Sequence, residues 1–276
     1  MIFQNALLEW RNFAPFADDA QVEQDLILSA ILVRIYQDDL LRQKLAFRGG
    51  TCLYKLFFKT PLRYSEDLDF VQVSPEKIGP TIKALREALR DIFDEDAKWN
   101  QKQGSYQLFY SFIPLGQTER RRIKLEINTR EHGAFAGYQN KAFNLESQWR
   151  SGKSSITTFS LEEILATKLR ALYQRRKGRD LYDLWMSRSL HPNWEKVVEV
   201  FLSYMKQGGH KIHREAFEQN LENKFQDSRF KGDITPLLVQ ADTYNPEAAT
   251  LFVKKEILSL LPLSKKVQKR MKRKPG

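Results

Sequence analysis

Leu68-Asp69-Phe70-Val71-Gln72-Val73 reads as a strand, and the acids of Asp67-Leu68-Asp69 at its start constrain the chain more than any other feature. In a strand, side chains at i and i+2 point the same way. Asp67 and Asp69 therefore project from one face, and Leu68 and Phe70 face a core. Two like charges that close repel unless a cation or a shared proton sits between them. Carboxylate oxygens are hard ligands suited to Mg2+ or Mn2+. Upstream, Gly49-Gly50 opens a helix-like run, with Thr51 as a further hydroxyl donor. A glycine turn feeding a helix N-terminus leaves backbone N–H groups free for an anion. Each feature alone is common. Together, in this order, they describe a metal held beside a phosphate cradle, the minimum for nucleotidyl transfer.

The pattern Gly49-Gly50-Thr51-x-Leu53, then Lys55, then Arg63-x-Ser65-Glu66-Asp67-Leu68-Asp69-Phe70 resembles the AbiEii/AbiGii family of nucleotidyltransferase-like toxins, within the DNA polymerase β-like nucleotidyltransferase superfamily. The stretch between Gly50 and Asp67 is longer than in many members of the superfamily and fits the AbiEii-like branch. The resemblance runs from about Gln24 to Arg188. It implies an α+β fold: a polymerase-β-like core with a mixed sheet flanked by helices, plus a C-terminal helical lobe. It also implies a toxin with a separately encoded antitoxin, an NTP substrate with Mg2+ or Mn2+, and an RNA acceptor, notably tRNA 3′ ends.

The chain has 276 residues, 42% of them hydrophobic, enough for one large or two modest domains. The division expected is a nucleotidyltransferase core over 1–155, a helical lobe over 156–263 and a basic tail over 264–276. The net charge of +11 points to a polyanionic partner. The single cysteine, Cys52, excludes an internal disulfide and a cysteine-rich metal site. No apolar run is long enough to span a membrane, and the first residues lack a basic, cleavable leader, so a cytoplasmic protein is expected.

Apolar spacing predicts a long, well-buried helix from Asp19 to Leu45, a short strand over Ala46-Phe47-Arg48 and a helix over Thr51 to Phe58. Ser74 and Pro75 read as the N-cap and first position of the next helix. Tyr106 to Ile113 reads as a strand, and Gln117 to Arg122 as a polar hairpin loop whose Arg120, Arg121 and Arg122 could meet RNA. In Ile123 to Asn128, Ile123, Leu125 and Ile127 face one way, and Lys124, Glu126 and Asn128 the other. Arg130 to Ser155 reads as irregular, either a loop or a linker. Three helices are expected after Trp194, at about Trp194–Gln207, Arg214–Phe225 and Pro246–Leu261.

If the Glu126 strand lies beside the aspartate strand, Glu126 joins Asp67 and Asp69 as a third carboxylate, as in polymerase-β-like enzymes. Ser65 is a candidate triphosphate contact, and Arg63 a residue orienting the carboxylates. Lys168 falls on the apolar stripe of Leu161, Ile164, Leu165, Leu169 and Leu172, so its ammonium must snorkel or find an anion. A bound triphosphate would serve. On that reading, Lys168→Met preserves stability and loses activity. The family pattern over Glu162 to Leu172 gives this lysine a catalytic or nucleotide-contacting role. Asp180 could cap the following helix. By the resemblance, Asp180 and Asp183 both belong to the motif, and Asp183 takes a catalytic or lysine-orienting part. Arg175, Arg176, Lys177 and Arg179 form a basic cluster next to it, and the run from Lys265 reads as a mobile basic tail. The alternatives are nucleotidyl transfer to a protein, a metal-dependent glycosyltransferase and a non-catalytic RNA-binding protein. The four histidines form no zinc-binding pattern.

Overall fold

The computed structural model describes residues 2–239, 244–265 and 267. The chain divides into two compact units, Met1–Ser160 with Leu237–Val239, and Leu161–Pro236 with Gln240–Gly276.

The first unit contains α1 (Gln4–Trp10), α2 (Asp19–Gln37), α3 (Asp39–Lys44), β1 (Leu45–Arg48), α4 (Gly49–Phe57), β2 (Asp67–Gln72), α5 (Gly79–Leu89), β3 (Lys98–Lys102), β4 (Ser105–Phe112), β5 (Arg121–Asn128), β6 (Tyr138–Glu146) and β7 (Ser151–Phe159). One mixed sheet runs in the order β3-β4-β5-β2-β1-β7-β6. β2 is parallel to β5 and antiparallel to β1, and β1 is parallel to β7. The apolar alternation places Phe47, Leu68, Phe70, Leu108, Ile123, Leu125 and Ile127 in the core. Tyr36 of α2 packs on Phe70 and donates its hydroxyl to the Leu45 carbonyl. Fully burying side chains of this size contributes roughly 1.5–3 kcal/mol each.

The single long helix expected over Asp19 to Leu45 is broken. The Asp38 side chain accepts from Leu41 N–H and caps a new helix, α3, after which Leu45 enters the sheet. Ser74 and Pro75 do not start α5; that helix begins at Gly79 with Pro80 in its first turn. The intervening residues form a turn in which the Gln72 amide donates to the Glu76 carbonyl. Arg121 and Arg122 belong to β5 rather than to a hairpin loop. β3 was not anticipated, because all five of its residues are exposed and Trp99 is its one apolar residue.

The segment read as irregular holds the β6–β7 hairpin, paired from Tyr138↔Phe159 to Glu146↔Ser151. Along it only Leu145, Ile156, Thr158 and Phe159 are fully buried, so its composition looks like that of a linker. Gly152 serves close packing rather than flexibility. A Cβ there would lie 2.7 Å from Val33 Cγ1 of α2.

The second unit is helical: α6 (Leu161–Gln174), α7 (Gly178–Ser187), α8 (Trp194–Gln207), α9 (Arg214–Phe225), α10 (Ser228–Gly232) and α11 (Pro246–Phe252). After α11 the chain continues as a π-helical turn, Val253–Ile257, and a 3-10 turn, Leu258–Leu260, so the last expected helix changes its winding partway. Asn193 caps α8 by accepting from Lys196 N–H. Phe201 and Phe217 pack against each other in the core, beside Tyr173. Ser264, Lys265 and Val267 excepted, the basic tail lies outside the described residues.

Candidate active site

The first unit assembles its polar centre where β1 meets α4. Gly49 has a φ of 87°, a left-handed backbone that residues with a Cβ disfavour. A Cβ at Gly49 would also lie 2.5 Å from Asp69 Oδ2. The Asp69 carboxylate thus packs against bare backbone at the N-terminus of α4, and glycine is required on both counts. Gly50 and Thr51 follow in the first turn. Thr51 Oγ1 donates to the Asp67 carbonyl and lies 2.8 Å from Ser65 Oγ, which ties the helix start to the approach of β2.

Parallel pairing sets Asp69 opposite Glu126 and Asp67 opposite Lys124, while Arg48 lies opposite Asp69 on the other side. Asp67, Asp69 and Glu126 thus share one face of the sheet. Lys124 stands between two of them: its Nζ lies 3.0 Å from Asp67 Oδ2 and 3.0 Å from Glu126 Oε2. Sequence reading placed Lys124 on the acidic face but gave it no role. The signal that could have revealed it is the aspartate pair's need for a cation.

Burial raises both aspartate carboxyls above the usual range. For Asp69 the neighbouring Asp67 charge adds to this, against Lys124 and Arg48. For Asp67 the pull of Lys124 offsets burial only in part. Burial lowers Lys124, but Asp67, Glu126 and Asp69 outweigh it and hold the ammonium above the ordinary lysine range. Burial raises Glu126, but Lys124, Gln107 and Ser105 outweigh it and hold this carboxyl below its usual range.

This arrangement fits a divalent cation at the two aspartates. They offer hard oxygens from one face, and burial disfavours their ionised forms beyond what Lys124 offsets, so a further cation would be stabilising. Glu126 lies beside Asp69 as the sequence suggested, but the three acids do not form a metal-holding group. Glu126 is engaged by Lys124 and by the β4 donors, and among the described residues no group of three or more His, Cys, Asp or Glu is placed to hold a metal.

Arg63 is buried. It donates to the Tyr64 carbonyl at 2.9 Å, and its guanidinium lies over the Tyr54 ring at 4.9 Å. These contacts shape the loop before β2. Lys55 bonds Asp25 Oδ1 at 2.9 Å and Ser29 Oγ at 2.8 Å, joining α4 to α2.

The second unit brings together the other residues singled out. Lys168, 6% exposed, meets Asp183 Oδ2 at 2.7 Å and Asp180 Oδ1 at 3.5 Å, and both acids are fully buried. Arg175 clasps Asp180 through two bonds of 2.7 and 2.8 Å. Asp180 sits in the first turn of α7, whose N-cap position is Lys177. The buried Lys168–Asp183 pair argues against the expectation that methionine at 168 would leave stability unchanged. Nor is the basic cluster free positive charge: Arg176 faces Asp227, and Lys177 and Arg179 face Asp233.

The mixed sheet with its aspartate pair at a helix N-terminus has the fold of nucleotidyltransferases. MenT4, a nucleotidyltransferase toxin from Mycobacterium tuberculosis H37Rv, superposes with a TM-score of 0.66 at 18% identity, covering 95% of this chain and 92% of that one. JHP933 from Helicobacter pylori superposes with a TM-score of 0.55 at 17% identity, covering 92% and 96%. At these identities the likeness shows the fold. The family described as "Nucleotidyl transferase AbiEii toxin, Type IV TA system" matches residues 30–253, and the chain belongs to that family. No curated protein matches it in sequence. The protein is therefore a nucleotidyltransferase of a toxin–antitoxin family, which implies an antitoxin partner. Among the described residues no helix is long and apolar enough to cross a membrane.

Proposed function

We propose that the protein transfers NMP from an NTP to RNA, most naturally the 3′ end of a tRNA, in a reaction that needs Mg2+ or Mn2+, within the cytoplasm. One observation carries this reading. Asp67 and Asp69 stand on one face of the sheet, Asp69 against the bare backbone of Gly49 at the start of α4, and burial disfavours the charge on both beyond what Lys124 offsets.

Asp67 and Asp69 would hold the metal, which supplies charge neutralisation at the phosphates. Backbone N–H groups of Gly50 and Thr51 bind phosphate oxygens, aided by the helix dipole. Ser65, through Thr51, fixes that turn. Glu126 accepts the proton of the acceptor hydroxyl. The hydroxyl oxygen forms a bond to the α-phosphorus in line, the bond from that phosphorus to the bridging oxygen breaks, and pyrophosphate leaves.

The test incubates the protein with each NTP, labelled at either the α- or the γ-phosphate, with Mg2+ and total RNA. Label should reach RNA from the α-position alone, and Asp69→Asn should abolish it. Label in the protein fraction would move the acceptor to protein, and γ-label on any acceptor would replace nucleotidyl transfer with phosphoryl transfer.

A further inference from the structure

The face of the sheet that carries Asp67 and Asp69 continues outward through three more strands in unbroken register. One row reads Asp67, Lys124, Phe109, Lys98. The next reads Asp69, Glu126, Gln107, Asn100, and the third Val71, Asn128, Ser105, Lys102. Paired residues share a face, so Lys98, Asn100 and Lys102 of the edge strand look out on the same side as the aspartates. All three are exposed. Arg122, also exposed, lays its guanidinium over the Phe109 ring at 5.3 Å. No ion pair forms at Lys98, Lys102 or Arg122 among the described residues. Arg120 and Arg121, by contrast, are committed to Glu95 and Asp18.

The composition of this face is specific. It joins three cations free of ion pairs, an aromatic ring capped by an arginine and the exposed amide of Asn100 to the reacting centre. Three strand spacings of about 4.8 Å take it roughly 14 Å from the aspartate strand to the edge, the reach of a few nucleotides. Cations neutralise phosphates, and aromatic and guanidinium planes stack on unpaired bases whatever their identity. A duplex would offer this face phosphates but no open base.

We propose that the β5–β4–β3 face is the acceptor platform, holding the last nucleotides of a single-stranded RNA 3′ end. Phe109 and Arg122 stack a base, and Lys98 and Lys102 take phosphates. This rests on the nucleotidyltransferase reading for its link to the reaction, but binding can be measured without it.

The experiment is fluorescence anisotropy of a labelled single-stranded oligoribonucleotide with the full chain, without NTP, over a salt series. Lys98→Ser/Lys102→Ser changes only exposed side chains of the edge strand. It should weaken binding roughly tenfold at low salt and make the slope of log Kd against log salt shallower by about 1.4. Phe109→Leu should weaken binding roughly fivefold or more with no change of slope. Lys83→Ser, on the exposed side of α5, should change neither. An unchanged slope in the double variant overturns the proposal, as does equal binding of a blunt duplex. RNA binding that depends on Lys98 and Lys102, in a protein that transfers no label, would sink the activity reading and leave the platform standing. Transfer to RNA with wild-type affinity in the double variant would do the reverse.

Discussion

Replacing Lys168 by methionine keeps most of the stem and removes the ammonium from between Asp183 and Asp180. Asp180 retains its two bonds from Arg175. Asp183 loses a partner at 2.7 Å in a site with no solvent exposure. Removing one member of a buried pair typically costs about 3–5 kcal/mol, because the remaining charge has already lost its water. A melting entropy near 2.1 cal/mol/K per residue gives a chain of this length about 0.6 kcal/mol/K, and thus a Tm fall of roughly 5–8 °C if the units melt together. Adding Asp183→Asn removes the stranded charge, so the double variant should recover most of that loss. The assay is a melt of wild type, both single variants and the double, analysed as a cycle. A single Lys168→Met variant melting within a degree or two of wild type would refute the reasoning. So would a double variant in which the two losses simply add.

The other predictions concern neighbouring groups. Gly49→Ala forces a Cβ into a left-handed backbone, at about 1–2 kcal/mol, and onto Asp69 Oδ2; its melt should drop and its transfer activity should vanish. Asp69→Asn should raise the Tm of the metal-free protein at neutral pH by a few degrees. A carboxyl raised on folding lends stability below its unfolded pKa that is lost as pH rises through the folded value, so the difference between variant and wild type should grow from about pH 4 upward. Mg2+ should stabilise wild type more than this variant. Burial lowers the Lys224 ammonium to about 8 while it donates to the Leu172 and Tyr173 carbonyls. A lysine depressed on folding gains stability as pH rises from there toward its unfolded value, so wild type should improve against Lys224→Met between about pH 8 and 10, read by denaturant melts.

The aspartate pair was legible because strand periodicity alone puts i and i+2 on one face. The helix Trp194–Gln207 was legible because its apolar stripe is wide and Asn193 and Gly208 mark its ends; Arg214–Phe225 was legible from the spacing of Phe217, Leu221 and Phe225 alone. The bridging role of Lys124 was not, since it follows from the parallel pairing of β2 with β5, set by contacts more than fifty residues apart. The β6–β7 hairpin hid behind its own exposure: a strand with one wet face and a glycine pressed on Val33 has the composition of a linker. The arginine cluster misled for a similar reason, because Asp227 and Asp233, which neutralise much of it, lie about fifty residues downstream.

The central claim is that Asp67 and Asp69 hold the ion on which nucleotidyl transfer depends, beside phosphates bound at the start of α4. Crystals grown with Mn2+ and a non-hydrolysable NTP analogue test it directly through anomalous scattering. The account predicts a manganese peak about 2.1 Å from oxygens of both aspartates, with the triphosphate over Gly50 and Thr51. A triphosphate bound elsewhere, or manganese absent from the aspartate pair while the nucleotide is present, would contradict it.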